Sequence, residues 1–299
     1  MTISRATPAG NAYLDLRNLA KRQGRPTNEL LNLYALEGFL ERLSKSEHTN
    51  NFALKGGVLL AAFDTRRATR DVDLQADALS NDSMIVEEVI SAIASFQIDD
   101  GLIFNTASTT SEVIRDDDEY AGVRVTMPCT LATADVSFHV DVNVGDAIWP
   151  EPEMVNLPRL LGGTLRLRGY SIEMVIAEKI VTAIQRGTAN TRWRDFCDLY
   201  QLSRKHSISE ATLRRSITTV SSGRSATIVL LAEALAGYEA IAQAKWSAWV
   251  HKQGLDDRIP IDFKATLDWI EGFADPILVS ENQGRRWDFE GGSWRRNDN

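Results

Sequence analysis

The sequence has little cysteine, little histidine and no long apolar run. Its two cysteines, Cys129 and Cys197, are too few and too widely spaced for a disulfide or zinc framework. The four histidines form no metalloprotease-like pattern. No segment approaches the ~20 consecutive apolar residues of a membrane span, and the first residues lack the apolar centre of a signal peptide. We therefore expect a cytoplasmic protein with reduced thiols and no membrane partner.

The charge balance is unlike that of a protein that coats nucleic acid. The formal net charge of the 299 residues is −8, which argues against general polyanion binding but leaves room for a local basic surface. Arginines cluster within residues 66–70, 186–194 and 285–296. Each cluster is open to two interpretations, an anion-binding surface or ordinary solvated arginines.

The order of helix and strand signals divides the chain into two halves. Mixed helix and strand signals are followed, from Ser171 onward, by almost purely helical ones. This order predicts an α+β fold, with a mixed sheet and helices in residues 1–160 and a mostly α-helical domain in residues 161–299. The predicted helices cover residues 12–25, 29–44, 58–63, 82–96, 171–186, 191–205, 209–219, 225–252 and 263–273; the predicted strands cover residues 52–54, 71–76 and several segments of 102–146, with an acidic loop at 116–119.

Two carboxylates flank one apolar residue in the predicted strand that begins at Asp71. Asp71 and Asp73 project from the same face of such a strand, while Val72 and Leu74 point into the core. Two acids held so close repel each other, and a divalent cation such as Mg²⁺ is a natural reason to keep them there. The alternative is a solvated strand face that the nearby arginines neutralise.

A glycine doublet precedes this strand, between a short strand and a predicted helix. Gly56 and Gly57 would let backbone amides approach a phosphate closely at a helix N-terminus. A plain tight turn needs the same residues. The doublet alone therefore leaves both interpretations open.

A third carboxylate strengthens the metal interpretation. Asp141 lies on the polar face of the predicted strand 136–144, whose other face is entirely apolar. Beside Asp71 and Asp73 it could bind a second metal or accept the proton of an attacking hydroxyl. His139 shares that polar face and is expected to be a neighbour rather than a ligand.

Three charged residues occur in two consecutive predicted helices. Lys179 lies in an otherwise apolar helix, where it is either a surface lysine or a point charge for the β- and γ-phosphates of a nucleotide. Asp195 and Asp198 share a helix face. They could bind Lys179 in a simple ion pair or orient a nucleotide.

Four segments in order resemble the motifs of a known family. They are Leu54-Lys55-Gly56-Gly57 with Thr69-Arg70-Asp71-Val72-Asp73-Leu74, then Val140–Asp146, Val175–Lys179 and Arg194–Leu199. The first resembles the leading motif of DNA polymerase β-type nucleotidyltransferases. Together they resemble, across nearly the whole chain, the AbiEii/AbiGii toxin family with its MenT-type members.

The resemblance implies a polymerase β-like N-terminal domain and the toxin of a toxin–antitoxin system. Such a toxin would add nucleotides from an NTP to the 3′ end of tRNA and so block aminoacylation. It would use Mg²⁺ and pair with a cognate antitoxin. By the same resemblance Asp71 and Asp73 bind metal, Lys179 binds the triphosphate, Asp195 is an essential acid, and Thr69 occupies a position that some relatives phosphorylate.

Two departures from the family pattern bear on nucleotide binding. Arg194 stands where the family usually has lysine, which keeps the charge but replaces a point contact to phosphate by a two-point contact and so could change the preferred nucleotide. Gly57 stands where the wider superfamily often has serine, which removes a hydroxyl. Two rival functions remain: transfer to a protein or small molecule, and a nucleotide-binding module that acts mainly through its antitoxin.

Overall fold

The computed structural model of the protein describes residues 3–77, 79–114, 122–279, 281 and 283–296. By its internal contacts the chain forms two compact units. The first contains Met1–Asp146 and Pro152–Tyr170, and the second contains Ala147–Glu151 and Ser171–Asn299. The acidic loop expected at residues 116–119 lies outside the described residues.

The first unit is built around one mixed sheet of eight strands. In the order β3-β5-β6-β2-β1-β8-β7, with β4 also paired to β5, only β2–β6 and β1–β8 are parallel pairs. Val136, Phe138, Val140 and Val142 are all buried, as the alternation predicts. The strands are β1 (Phe52–Lys55), β2 (Asp71–Ala76), β3 (Leu102–Phe104), β4 (Thr110–Ile114), β5 (Gly122–Leu131), β6 (Ala134–Val144), β7 (Glu153–Pro158) and β8 (Thr164–Gly169).

Among the residues that the structure describes, the first unit also contains the α-helices α1 (Pro8–Gln23), α2 (Thr27–Lys45), α3 (Gly56–Leu59) and α4 (Ser83–Ala94). Their ends follow local chemistry, since the Thr7 hydroxyl caps α1 and the Asp82 carboxylate caps α4. The apolar spacing of α4 predicts an inner face of Ile85, Val89, Ile90 and Ile93, and this prediction is partly wrong. Val86 is buried in place of Ile85, because the packing of the helix, and not its apolar spacing alone, selects the inward face.

The second unit contains six helices and one two-stranded ribbon among the described residues. The helix expected over 225–252 is wrong, because Gly237 adopts a left-handed conformation with φ +77° and separates two helices. None of the described helices is long and apolar enough to cross a membrane. The elements are α5 (Ile172–Arg186), α6 (Trp193–Lys205), α7 (Glu210–Gly223), α8 (Leu231–Ala234), α9 (Tyr238–Gln253), α10 (Phe263–Val279), β9 (Arg285–Asp288) and β10 (Ser293–Arg296). The mixed sheet and the helical unit together confirm the α+β class.

Candidate active site

The parallel pairing of β2 with β6 brings the predicted carboxylates together. Asp73 is the register partner of Asp141, and Asp71 is the partner of His139. Partners on neighbouring strands share one face of a sheet, so three carboxylates and one imidazole project from the same surface. Asp71 and Asp73 are half-buried, and Asp141 is buried.

Two cations flank the carboxylates in the same row of the sheet. Lys55 on β1 is the register partner of Asp73, and Arg124 on β5 is the partner of Asp141. Across four adjacent strands the row therefore reads lysine, aspartate, aspartate, arginine. Positive charges stand at both ends of the row and two negative charges in the middle.

The arginine at one end of this row, Arg124, forms a two-point hydrogen-bonded ion pair (a fork) with Asp141. Arg124 donates from Nε to Asp141 Oδ1 at 2.8 Å and from Nη2 to Oδ2 at 2.7 Å. The hydrogen bond with Asp141, followed by its charge and that of Asp71, raises the pKa of the Arg124 guanidinium above its usual range. Both oxygens of Asp141 are thus engaged by a side chain of the protein itself.

The central carboxylate of the row is difficult to ionise. Burial, the negative charge of Asp141 and the negative charge of Asp71 raise the pKa of Asp73 to about 6, against the opposing effects of Lys55 and a hydrogen bond from Gly57. Within the part of the chain that the structure describes, no side-chain cation forms an ion pair with Asp71 or Asp73. A cation from solution would relieve this unfavourable charge.

The glycine doublet is explained by its contact with Asp73. Gly56 has φ +65°, and a Cβ at this position would overlap the Asp73 carboxylate. The Gly57 N–H donates to Asp73 Oδ2 at 3.4 Å, and a Cβ on Gly57 would lie 2.9 Å from the Thr69 hydroxyl. The following helix α3 is a single turn, so the structure accounts for both glycines by the close approach of β2. A phosphate contact at these amides stays a prediction.

Thr69 lies beneath the same turn. Its side chain is buried, with the hydroxyl 3.4 Å from the Asp71 carbonyl oxygen and 3.5 Å from the Asp71 amide nitrogen. A kinase could reach this hydroxyl only after the turn had opened. Phosphorylation of Thr69 stays a prediction.

The second unit brings together the other predicted residues in a cluster of its own. Lys179 Nζ on α5 donates to Asp195 Oδ1 at 2.7 Å and to Asp198 Oδ2 at 2.8 Å, both on α6. Arg192 Nε lies 2.9 Å from Asp195 Oδ2. The ammonium is nearly buried between the two acids, whereas Arg194 is exposed on the helix surface.

Sequence reasoning missed Arg124 and the role of two motif residues. Asp146 lies in a loop, as the sequence indicates, but it also forms an ion pair with Lys55, whose Nζ lies 2.9 Å from Asp146 Oδ2. Lys55 was detectable as a lysine that follows three apolar strand residues. Arg124 gave no such signal, because its role depends on the pairing register of β5 with β6.

The residues present suit one divalent cation. Asp71 and Asp73 provide hard oxygen atoms on one strand face, which is the ligand type that Mg²⁺ prefers. Among the described residues, no three acidic, histidine or cysteine side chains form a ready-made metal cluster. The fork from Arg124 accounts for the third carboxylate, Asp141.

A mixed sheet that carries paired aspartates beside a glycine turn is typical of nucleotidyltransferases. The family model described as nucleotidyl transferase AbiEii toxin, type IV toxin–antitoxin system, matches residues 38–270. The match covers more than half of the chain, so the protein belongs to this family of nucleotidyltransferase toxins, as the motif resemblance predicts.

Comparison with solved structures finds two Helicobacter pylori proteins of low sequence identity. No curated protein sequence matches the chain. A solved structure described as a "putative nucleotidyltransferase" from Helicobacter pylori is 15% identical, with a TM-score of 0.49, over 84% of this chain and 98% of the other. The Helicobacter pylori protein JHP933 is 14% identical, with a TM-score of 0.48, over 93% and 94% of the two chains.

Proposed function

We propose that this toxin transfers nucleotides from an NTP to the 3′ end of tRNA in a Mg²⁺-dependent reaction, blocks aminoacylation and is counteracted by a cognate antitoxin in the cytoplasm. One observation carries the catalytic part of the proposal. Asp71 and Asp73 project from one strand face next to Asp141, and within the described residues neither forms an ion pair. A pair of acids kept at this electrostatic disadvantage favours a role in binding a metal and its nucleotide.

The side chains around the pair fix its geometry. Asp71 and Asp73 would hold the Mg²⁺ ion, which supplies positive charge for the oxygens of the triphosphate. Gly57 donates to Asp73 and Gly56 leaves room for it, so this carboxylate has little freedom to rotate. Lys55 lies opposite Asp73 on the neighbouring strand β1, and its positive charge limits the repulsion between the acids.

The reaction itself is a displacement at phosphorus. The oxygen of the acceptor 3′-hydroxyl forms a bond to the α-phosphorus, the bond to the pyrophosphate oxygen breaks, and the hydroxyl loses its proton. Most of the catalytic effect in such reactions comes from positioning and from electrostatic stabilisation. A rigid pair of acids on a central strand is suited to the first of these tasks.

The proposed role of Lys179 rests on the family motif and on its own surroundings. Two carboxylates hold its ammonium in place, which supports a positioned point charge rather than a mobile surface lysine. We propose that Lys179 contacts the triphosphate and that Asp195 and Asp198 orient the Lys179 ammonium. Arg194, which is exposed and directly precedes Asp195, would supply a further phosphate contact.

An exposed basic ribbon supports RNA as the acceptor. Arg286 on β9 is the register partner of Arg295 on β10, and both side chains are exposed. Arg295 Nη2 lies 2.8 Å from Asp288 Oδ2, but each guanidinium has five N–H donors, so both arginines can still bind an RNA phosphate. Trp287 is buried and donates to the Ser203 carbonyl, so the ribbon is fixed to the helical unit while it presents its arginines to solvent.

Transfer of a labelled nucleotide tests the proposal. Purified protein is incubated with Mg²⁺, tRNA and each of the four α-labelled NTPs, with Asp71→Asn as the inactive control. We expect label in the RNA, lost on RNase treatment and absent in EDTA. Label that survives RNase would indicate a protein or small-molecule acceptor. If the protein binds NTPs but labels nothing, and Asp71→Asn remains toxic in cells, a nucleotide-binding module acting through its antitoxin is favoured instead.

A further inference from the structure

We propose that Asp71 and Asp73 hold a single divalent cation, and that Arg124 supplies at Asp141 the positive charge that a second cation would otherwise supply. Arg124 is then a positioning residue that acts through Asp141. The inference rests on the proposed function, since it concerns the metal site of the same reaction.

The first argument is the geometry of the fork. Arg124 binds both oxygens of Asp141 in a side-on arrangement, with donor–acceptor distances of 2.8 and 2.7 Å. The Asp141 side chain is only 10% exposed, so it has little room to turn away from the guanidinium. Such planar two-point contacts are the strongest hydrogen-bonded ion pairs available to a carboxylate.

The second argument is that the fork is built into the sheet. Leu131 pairs with Ala134 across a two-residue turn, and the same register places Arg124 opposite Asp141 seven pairs further along the hairpin. A two-residue turn permits no slippage of this register. Arg124 therefore meets Asp141 wherever the hairpin has formed, with or without a nucleotide.

The third argument is the charge that remains. In the absence of nucleotide, whose phosphates could hold an ion, a second cation would need carboxylates besides Asp71 and Asp73. The nearby candidates Asp141 and Asp146 are both paired, the first with Arg124 and the second with Lys55 at 2.9 Å. Once these pairs cancel, two negative charges are left on β2, which is the charge of one divalent ion.

The two remaining charges belong to neighbouring positions on one strand face. Asp71 and Asp73 alternate with the buried Val72, so their carboxylates project in the same direction. Without Arg124, Asp141 would become a third unpaired acid beside Asp73. The negative charge of Asp141 would then need a second cation to balance it.

Counting bound Mn²⁺ tests the inference without nucleotide or RNA. The free ion is measured by electron paramagnetic resonance as Mn²⁺ is added to the full-length protein. We expect one bound ion in the wild-type protein, two in Arg124→Gln and one in Arg124→Lys, which restores the charge. Arg70→Gln is the matched control, since it removes an exposed arginine beside Asp71 without releasing Asp141, and it should still bind one ion.

Each alternative count contradicts the inference. Two ions in the wild-type protein, or the loss of an ion in Asp141→Asn, would show that Asp141 is a metal ligand. The Asp141→Asn variant keeps the test decisive if Arg124→Gln fails to fold by circular dichroism. No bound ion in the wild-type protein would overturn both this inference and the Mg²⁺ dependence. One bound ion without transfer to RNA would leave the inference standing while the proposed acceptor is wrong.

Discussion

The two clusters of candidate site residues differ in how their charges are balanced. In the first unit, Asp71 and Asp73 share a strand face and, among the described residues, form no ion pair. In the second unit, Lys179 stands between Asp195 and Asp198 at 2.7 and 2.8 Å, and every carboxylate of the cluster has a cation. The charges of the second cluster are balanced without a ligand, whereas those of the first are not.

This difference separates residues that stabilise the fold from residues that weaken it. A buried acid without a counter-ion lowers stability, and a site that persists at such a disadvantage is a candidate for function. A nearly buried lysine between two acids contributes stability as long as all members remain. The two clusters should therefore respond in opposite directions when a charge is removed.

The largest expected effect is on catalysis by the unpaired cluster. Asp71→Asn or Asp73→Asn should lower nucleotide transfer by about 1,000-fold or more, since the ion that we propose they hold would contribute several kcal/mol to the transition state. Thermal stability should stay the same or rise, because a repulsive charge is lost. Single-turnover rates and melting curves in EDTA measure the two effects. A melting temperature lowered by either variant would contradict the comparison.

The paired cluster should lose stability instead. Lys179→Met leaves Asp198, whose side chain is 1% exposed, without its cation, and should cost about 3 kcal/mol, or roughly 5 to 10 °C in melting temperature. Lys264→Met is the matched control, because that lysine is paired with Asp268 at the surface of the same unit and should not change the melting temperature measurably. Equal melting temperatures for both lysine variants would show that Lys179 has no structural role.

A pH series sharpens the comparison by isolating Asp73. Its pKa is about 6 in the folded protein and lies near 4 in the unfolded chain, so the folded state binds the extra proton between these values. The free energy of unfolding should therefore fall as pH rises from about 4 to about 6, by on the order of 2 kcal/mol. Urea unfolding in EDTA should show this decrease in the wild-type protein and not in Asp73→Asn.

Two further measurements check the origin of that decrease. Asp77→Asn removes an exposed carboxylate just beyond β2 and should leave the decrease unchanged. Addition of Mg²⁺ above pH 6 should restore the lost stability in the wild-type protein, since a ligand that binds only the folded state stabilises it. A decrease that persists in Asp73→Asn would assign it to another group.

The sequence predicted the strands of the site better than their neighbours. The expected limits of β2 are the observed ones, and the alternation of β6 is confirmed, because both patterns are local and periodic. Arg124 could not be found in this way. Its meeting with Asp141 depends on a turn at Ala132, which has φ +55° and lacks the glycine or asparagine that usually marks a two-residue hairpin.

The roles of the other site residues also depend on long-range contacts. Gly56 and Gly57 predict a turn, but only the close approach of β2 explains why no side chain fits there. The packing of α5 against α6 forms the ion pairs of Lys179, which were one of two alternatives from its spacing, while a nucleotide contact stays a prediction. Local patterns thus predict which residues share a face, and tertiary packing decides what they contact.

The smallest expected effect concerns the basic ribbon, a region whose arginines Arg286 and Arg295 are exposed. Arg286→Glu with Arg295→Glu should weaken tRNA binding by about 10-fold and reduce the salt dependence of binding by about two phosphate contacts, with NTP binding unchanged. Lys245→Glu with Lys252→Glu changes the net charge equally on the exposed surface of α9 and serves as the control. Fluorescence anisotropy of labelled tRNA at several salt concentrations measures both. The ribbon arginines contribute little to folding stability, so we expect an unchanged melting temperature, which would assign the lost tRNA affinity to the ribbon surface. Equal weakening of tRNA binding by the two double variants would contradict this and attribute the effect to net charge alone.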